Sequence, residues 1–181
     1  RADNTARILD VKYHVLLPEE EHVGGPLDYY QWTSILRSVS ALTAYHWVYR
    51  ETLKPWLIAD LLILNDSLPR SLASCYGNLV RNLDQIGVAY GRQGASQRHA
   101  RGVRNRLEHS HMDDIFQHGV HEFIQEFITD NARLGEIINL TWSDLDFGQN
   151  RLRVIGKDAS GTVAGWEPKD HEGRILPVPE E

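Results

Sequence analysis

The sequence predicts a mainly α-helical protein, an antiparallel bundle of about six helices followed by a small tail that contains a β-hairpin. Three observations predict this class. Through residues 1–131, apolar side chains recur every three to four positions. The breaks between these segments are short and carry Gly or Pro, which favours antiparallel neighbours. From Leu145 onward the helical period gives way to alternation of apolar and charged residues.

The first two helical segments are "RADNTARILDVKYHVLL" and "LDYYQWTSILRSVSALTAYHWVYRE". In the first, Ala6, Leu9, Tyr13 and Leu16 form one apolar stripe, and the helix is expected to end at Pro18. Residues 18–26 read as a loop. The second segment is rich in aromatic residues and has few breakers, so it predicts one long helix or two closely joined ones.

The remaining helical segments follow a Lys-Pro break. "PWLIADLLILN" is apolar nearly all round and too short to span a membrane, so it predicts a helix in the core. In "DSLPRSLASCYGNLVRNLDQIG", Asp66 and Ser67 are candidate caps, and Pro69 suits a first turn. Two more helices are expected over about residues 97–109 and 114–131.

The tail has a strand pattern. In "LDFGQNRLRVIGK", Leu152 and Val154 alternate with Arg151 and Arg153 after a Gly-Gln-Asn turn, and "GRILPVP" supplies a candidate returning strand. Two or three strands alone are marginally stable in water, so they require the helices, a partner chain or further sequence to cover them.

Composition narrows the class of function. With 41% hydrophobic and 24% charged residues, the 181-residue chain has the balance of a soluble globular protein. A net charge of −6 gives no chain-wide basic field for nucleic acid. The single cysteine, Cys75, excludes an internal disulfide, and no apolar run is long enough to cross a bilayer, so a cytoplasmic protein without membrane contact is expected.

Histidines are the first candidates for chemistry, because five of the nine fall between His99 and His121. His118 and His121 lie one helical turn apart and would face the same side of a helix, where they could in principle bind a divalent metal. However, the spacing is not that of a known zinc motif, so solvated or hydrogen-bonded histidines are the preferred interpretation and no metal or cofactor is expected. No nucleophile motif or phosphate-binding glycine loop is present, and Cys75 on an apolar stripe predicts a buried, inert thiol.

The charged residues of the first helix are the second candidates. Asp3 and Arg7 stand four residues apart on one face, with Arg1 one turn earlier. Spacing alone favours an ordinary surface salt bridge for this pair.

Several segments, in order, resemble the alpha-E domain family, a bacterial all-helical family named for a Glu-Arg motif. They are "RADNTARILDVKYHVLLP", "GGPLDYYQWTSILRSVSALTAYHWVYR", "LPRSLASC" and "MDDIFQHGVHEFIQEFI", within residues 1–131. The resemblance is to the second of two related halves of that family, so residues 1–131 are expected to be a partial domain. It places the Glu of the motif just before Arg1, and that Glu is absent here.

The resemblance also implies a role and a set of polar positions. Family members tend to occur beside ATP-grasp ligase-like and transglutaminase-like proteins, which implies a non-catalytic partner in making or modifying peptides. The implied binding positions are Arg1, Asp3, Asn4, Arg7, Arg70, Asp113, Asp114, His121 and Glu122.

Residues 132–181 resemble the start of the catalytic domain of tyrosine recombinases, the phage-type integrases, through "ARLGEIINLTWSDLDF" and "WEPKDHEGRILPVPEE". The resemblance implies that Arg133 binds the scissile phosphate and that Lys169, which fits better than Lys157, acts as general acid. The nucleophilic Tyr and second Arg have no counterpart, so this part is expected to be inactive. The alternative is that "LGEIINLTW" is a seventh helix of the bundle.

Two functions remain open at this point. In the first, the helical part is a binding or scaffold module of a peptide-ligase system, and the tail is a fusion remnant. In the second, the chain is a DNA-binding fragment of a recombinase. From residue 131 the tail carries six Lys/Arg and nine Asp/Glu, a net of −3, which favours the first. The tail is expected to be less ordered than the bundle, and homo-oligomer formation stays open.

Overall fold

The structure, a computed structural model, describes residues 1–14, 25–91, 94–139, 144–146, 149, 151–157 and 173–177. Within these residues the chain is mainly helical, as the sequence predicts. The helices are α1 (Ala2–His14), α2 (Pro26–Ser38), α3 (Leu42–Tyr49), α4 (Pro55–Ile63), α5 (Leu72–Tyr90), α6 (Ala95–His109), α7 (Met112–His118) and α8 (Val120–Asn139).

The described residues contain eight helices, so the expected number of about six is wrong. The aromatic segment divides into α2 and α3 at Ser40, whose φ of 55° is left-handed and cannot continue a helix. The last segment divides into α7 and α8 at Gly119, with φ of 109°. A glycine tolerates that backbone, so a single residue suffices to break the helix.

The chain forms two compact units, residues 1–130 and residues 131–181, and α8 runs from the first into the second. The first unit holds α1 to α7. Its core is centred on α4, where Leu57, Ile58, Ala59, Leu61, Leu62 and Ile63 are all buried, which confirms the prediction of a core helix.

Aromatic side chains complete the core of the first unit. Tyr76 of α5 and Phe127 of α8 are fully buried, with ring centroids 5.2 Å apart in an edge-to-face arrangement. Tyr45 of α3 is also fully buried; its hydroxyl donates to the Thr52 carbonyl at 2.9 Å and accepts from the Lys54 backbone N–H at 3.1 Å. These two bonds fix the turn between α3 and α4.

Helices α1 and α2 pack against each other through a buried ion pair. The Lys12 ammonium lies 2.9 Å from the Asp28 carboxylate, and the two side chains are only 10% and 4% exposed. The same ammonium lies 5.6 Å from the centroid of the Trp32 ring, within range of a cation–π contact. The pair therefore ties the last turn of α1 to the first turn of α2.

The second unit contains three short strands, β1 (Leu145–Asp146), β2 (Arg151–Val154) and β3 (Arg174–Pro177), in the region where the sequence predicts strands. They pair antiparallel in the order β1-β2-β3, with Leu152 opposite both Leu145 and Leu176. In this unit the Lys157 ammonium lies 2.5 Å from the carboxylate of Asp144, which is 4% exposed.

Candidate functional site

A tightly bonded loop between α4 and α5 positions Arg70. The Asn65 side-chain oxygen accepts from the backbone N–H groups of Ser67 and Leu68, both at 3.0 Å, and the Ser71 hydroxyl donates to the Asn65 carbonyl at 2.5 Å. Ser71 also caps α5 by accepting from the Ser74 N–H at 3.0 Å. The expected caps, Asp66 and Ser67, are therefore wrong: they lie inside this loop, because Asn65 holds the turn and delays the helix start to Leu72.

Helix α1 is bonded to this loop next to Arg70. The buried Thr5 hydroxyl donates to the Arg70 carbonyl at 2.8 Å. On the other side, an Arg70 guanidinium nitrogen lies 3.5 Å from the hydroxyl of Ser40, the residue with left-handed backbone after α2. Arg70 thus stands where α1, the end of α2 and the start of α5 meet.

A cavity of about 250 Å³ opens at this meeting point. It brings together three of the predicted binding positions, Arg1, Asn4 and Arg70, from two separate parts of the chain. The remaining lining residues, which the sequence did not single out, are Thr5, Ile8, Ser38 and Val39. Their positions in the sequence do not identify them as lining residues. Ser38 and Val39 reach the cavity because α2 ends at Ser38.

The cavity has the chemistry of an anion site. Arg1 and Arg70 each bring a planar guanidinium that presents paired N–H donors to a carboxylate or phosphate. Asn4 adds a neutral donor to the same lining, whereas the Ser38 hydroxyl already donates to the Ser34 carbonyl at 2.8 Å. Within the described part of the chain, neither Arg1 nor Arg70 is in a salt bridge, so their charges are available to a ligand.

Cys75 lies close to this region without belonging to the lining. Its thiol donates to the Pro69 carbonyl at 3.6 Å and is half-buried. Burial raises the pKa of the Cys75 thiol, an effect that the nearby charge of Arg1 only partly offsets. A protonated thiol is a weak nucleophile. The expected burial of Cys75 is only partial, because the residue stands at the α1-facing side of α5 with part of its surface exposed.

Asp3 and Arg7 lie outside this cavity lining and pair with each other. Arg7 Nε lies 3.0 Å from Asp3 Oδ2, and the side chains are 52% and 25% exposed. This is the surface salt bridge that their spacing favoured.

His121 belongs to a different cluster, between α1 and α8. Its Nδ1 lies 2.8 Å from one oxygen of Asp10, and Gln125 donates to the other oxygen at 2.7 Å. Asp10 is 8% exposed, so His121 and Gln125 compensate the burial of its charge. Asp10 was not among the predicted positions, because on spacing alone it belongs to the charged face of α1.

The acidic positions Asp113, Asp114 and Glu122 are exposed at helix starts. Asp113 and Asp114 lie in the first turn of α7, and Glu122 lies in the first turn of α8. The Glu122 carboxylate folds back over Gly119, where an added Cβ would overlap it. Carboxylates here interact favourably with the helix dipole, which gives these residues a structural role.

No cluster of three or more potential metal ligands occurs among the residues for which the structure gives positions. His118, the last residue of α7, lies 3.4 Å from Glu126 of α8, and His109 bonds its own helix at the Asn105 carbonyl. The expectation that His118 and His121 share one helix is wrong, because the helix breaks at Gly119 between them. The histidine-rich stretch is thus dispersed over several partners.

The integrase-like candidates are not among the described lining residues of the cavity. Arg133 is an exposed residue of α8. This helix continues through the Arg-Leu-Gly-Glu stretch and ends at Asn139. Lys169 lies outside the described residues. Lys157, the less favoured candidate, is paired with the buried Asp144.

Comparison with known proteins supports the helical part of the resemblance. No curated protein and no solved structure matches the chain. None of the helices whose residues are described is both long and apolar enough to cross a membrane.

The Alpha-E model, described as a predicted alpha-helical domain with a conserved ER motif, matches residues 1–142. This match extends beyond residue 131 and includes all of α8. The stretch around Arg133, which resembles an integrase, therefore lies within the residues that the Alpha-E model matches. The sequence contains no Glu followed directly by Arg, so it lacks a literal copy of the motif. Because the match covers most of the chain, this protein belongs to the Alpha-E family.

Proposed function

We propose that this chain is a non-catalytic helical binding module that acts in making or modifying peptides beside ATP-grasp ligase-like or transglutaminase-like proteins. Its proposed ligand group is a carboxylate, held by Arg1 and Arg70. The observation that carries the proposal is the convergence of these two arginines with Asn4 on one cavity of about 250 Å³. The two guanidinium groups that line this small cavity are complementary to a carboxylate. Their positive charge suits its negative charge, and their paired N–H groups suit its two oxygens.

The rest of the site supports binding over catalysis. The described lining of the cavity offers donors and apolar surface, but no carboxylate, imidazole or thiol that would act as base or nucleophile. The Asp10–His121 pair is part of the packing between α1 and α8 and is not among the lining residues. A module that binds and presents a carboxylate fits these features.

The integrase-like interpretation of residues 132–181 stays a prediction, as does the placement of the helical part in the second half of its family. A DNA-binding function has less support, since the tail has a net charge of −3. An inactive remnant is the proposed state of this tail.

A nuclear magnetic resonance titration with N-acetyl-alanine tests the carboxylate site. The free acid should shift the backbone amides of Asn4, Ser38 and Arg70, whereas N-acetyl-alaninamide should not, because it lacks the charge. Arg70→Ala should abolish the shifts. The control Arg98→Ala removes an exposed arginine of α6 and should leave them unchanged.

Two results would overturn the proposal. Equal shifts with the free acid and with the amide would show that the site does not recognise the negative charge. Shifts with inorganic phosphate but not with the acid would make the site a phosphate site instead.

A further inference from the structure

An apolar groove of about 520 Å³ runs between α1 and α2. The apolar side chains that line it are Ile8, Val11, Leu27, Tyr30 and Ile35. Val11 and Tyr30 are 55% and 68% exposed, so the groove is open to solvent along one side. Its volume lies within the range of about 300–1,000 Å³ that is usual for sites that bind small molecules.

The groove continues into the arginine cavity. Both concavities have Ile8 and Ser38 in their linings, so they adjoin. Lys12 lies at the other end of the groove, because α1 and α2 run antiparallel, and its charge is neutralised by Asp28 at 2.9 Å. The combined surface is therefore cationic only where Arg1 and Arg70 line the cavity, and it is apolar along its length.

The polar side chains along the groove offer a ligand few hydrogen bonds. The hydroxyls of Ser34 and Ser38 both donate to carbonyls of their own helix at 2.8 Å. The side-chain oxygen of Gln31 is fully buried, which puts it out of reach of a ligand. Tyr30 is largely exposed, so water supplies its hydroxyl. A ligand that lies along the groove therefore exchanges its bonds to water for apolar contact.

This property distinguishes the candidate occupants. An extended peptide carries an N–H and a C=O at almost every residue, and those turned toward the groove would lose water without gaining a partner. A second copy of the chain would need about 20–30 residues a side for a stable interface, whereas nine residues line the groove. A hydrocarbon chain needs no hydrogen bonds, so it gains from apolar contact without this cost.

We propose that the groove and the arginine cavity together bind a fatty acid, that is, a carboxylate on a long unbranched hydrocarbon chain. The carboxylate pairs with Arg1 and Arg70, and the hydrocarbon chain lies between α1 and α2 against Ile8, Val11 and Ile35. Charge complementarity at the cavity determines which end of the ligand lies there. This inference rests on the proposed carboxylate site and specifies its ligand.

Helix geometry sets the length of the hydrocarbon chain that the groove can hold. Ser38 lies where the groove meets the cavity, and Leu27 lines the groove eleven residues earlier on α2, or about 16 Å away along the helix axis. A C–C bond of about 1.5 Å and a bond angle of about 111° advance an extended chain by about 1.25 Å per carbon. About 12 to 13 carbons therefore span the groove, and a longer chain would extend past Leu27.

Isothermal titration calorimetry with the full chain tests this proposal. The ligands are hexanoate, octanoate, decanoate, dodecanoate and tetradecanoate, each below the concentration at which it forms micelles. Full burial of one methylene would raise the affinity about fourfold, and a groove that covers one side of the chain should give about twofold. The affinity should rise by this factor per methylene up to dodecanoate and level off at tetradecanoate. A further equal rise at tetradecanoate would indicate unspecific adsorption and contradict a groove of fixed length.

The charged end is tested with decanol, which has the chain of decanoate without its charge. Decanol should bind at least about tenfold more weakly than decanoate, because it leaves the two arginines unpaired. Equal affinities would show that the arginine cavity takes no part in binding the chain.

Substitutions at the two ends distinguish the groove from the cavity. Val11→Ser, at an exposed position, should weaken dodecanoate about three- to tenfold without changing the affinity for N-acetyl-alanine. Arg70→Ala should weaken both ligands. The control Trp47→Ala truncates a 75% exposed apolar side chain on α3 and should change neither.

The outcomes separate the two proposals. If N-acetyl-alanine fails to bind at Arg70, the carboxylate site itself is wrong. If it binds but dodecanoate binds no more tightly than hexanoate, only the hydrocarbon groove is wrong. An Ala-Leu-Ala-Leu-Ala peptide that binds as tightly as dodecanoate would make a peptide the occupant. A dimer that Val11→Ser dissociates, measured by sedimentation, would make a second copy of the chain the occupant.

Discussion

Loss of Asp28 should destabilise the protein far more than loss of an exposed charge. Asp28 is 4% exposed and Lys12 is 10% exposed, so replacing Asp28 by Leu leaves an ammonium that is largely removed from water. Its remaining described contact is the Trp32 ring, at 5.6 Å from the centroid, which offsets only a small part of the loss. The expected cost is about 3–5 kcal/mol, a large share of the roughly 5–15 kcal/mol that stabilise a typical domain.

A double-mutant cycle separates the burial of the charge from the value of the pair. Lys12→Met combined with Asp28→Leu removes both charges and keeps similar volume, so it should be at least about 2 kcal/mol more stable than Asp28→Leu alone. Arg7→Ala is the matched control, since it breaks an ion pair whose arginine is 52% exposed. It should cost less than about 0.5 kcal/mol.

Urea unfolding followed by tryptophan fluorescence measures these free energies. The reasoning would be refuted if Asp28→Leu cost less than about 1 kcal/mol, because a charge that is truly buried cannot be left alone so cheaply. Additive effects of the two substitutions would refute it as well, since additivity means that the two groups do not interact.

Two further predictions concern tyrosines and glycines. Burial raises the pKa of Tyr45, Tyr49 and Tyr76 above the ordinary value of about 10, and for Tyr49 the bond to the Asp60 carboxylate raises it further. The folded state thus retains phenol protons that the unfolded chain releases, so stability should fall above about pH 10 and be unaffected by these groups below it. Tyrosinate absorbance at alkaline pH should then rise for these three residues only together with loss of helical circular dichroism. Gly119→Ala should lower the thermal midpoint more than Gly91→Ala. Gly91 has φ 69° and ψ 13°, in the left-handed region that other residues can adopt at a modest cost, whereas Gly119 has φ 109° and ψ 122°, outside the regions allowed to a residue with a Cβ. Equal midpoints for the two variants would show that the backbone at position 119 relaxes into an allowed region without cost.

The helical class of the fold was predictable because periodicity reports which side of a helix is buried. The stripe of Ala6 and Leu9 is fully buried, and α4, apolar on nearly every side, lies in the core. The helix number was not predictable, because each extra break rests on a single residue. Gly119 was readable as a breaker in principle, whereas Ser40 takes its left-handed backbone from the turn around it.

The candidate site was predictable only in part. Family resemblance pointed to Arg1, Asn4 and Arg70, and the structure places all three on one cavity. It also grouped Arg7 and Glu122 with them, which lie outside the described lining. No local sequence pattern separates the residues that line the cavity from those that do not. Whether a residue lines the cavity depends on long-range packing, such as the hydrogen bond from Thr5 to the loop that holds Arg70.

Helix α1 divides its surface between folding and the proposed binding, which makes the two properties separable. Ala6 and Leu9 are fully buried, so truncation of Leu9 leaves a cavity and costs stability. Val11, on the groove, is 55% exposed and contributes little burial to folding. A substitution such as Val11→Ser should therefore change the unfolding free energy by less than about 0.5 kcal/mol. A loss as large as that expected for Leu9 would show that Val11 is packed in the core of the folded protein and not exposed on the groove between α1 and α2.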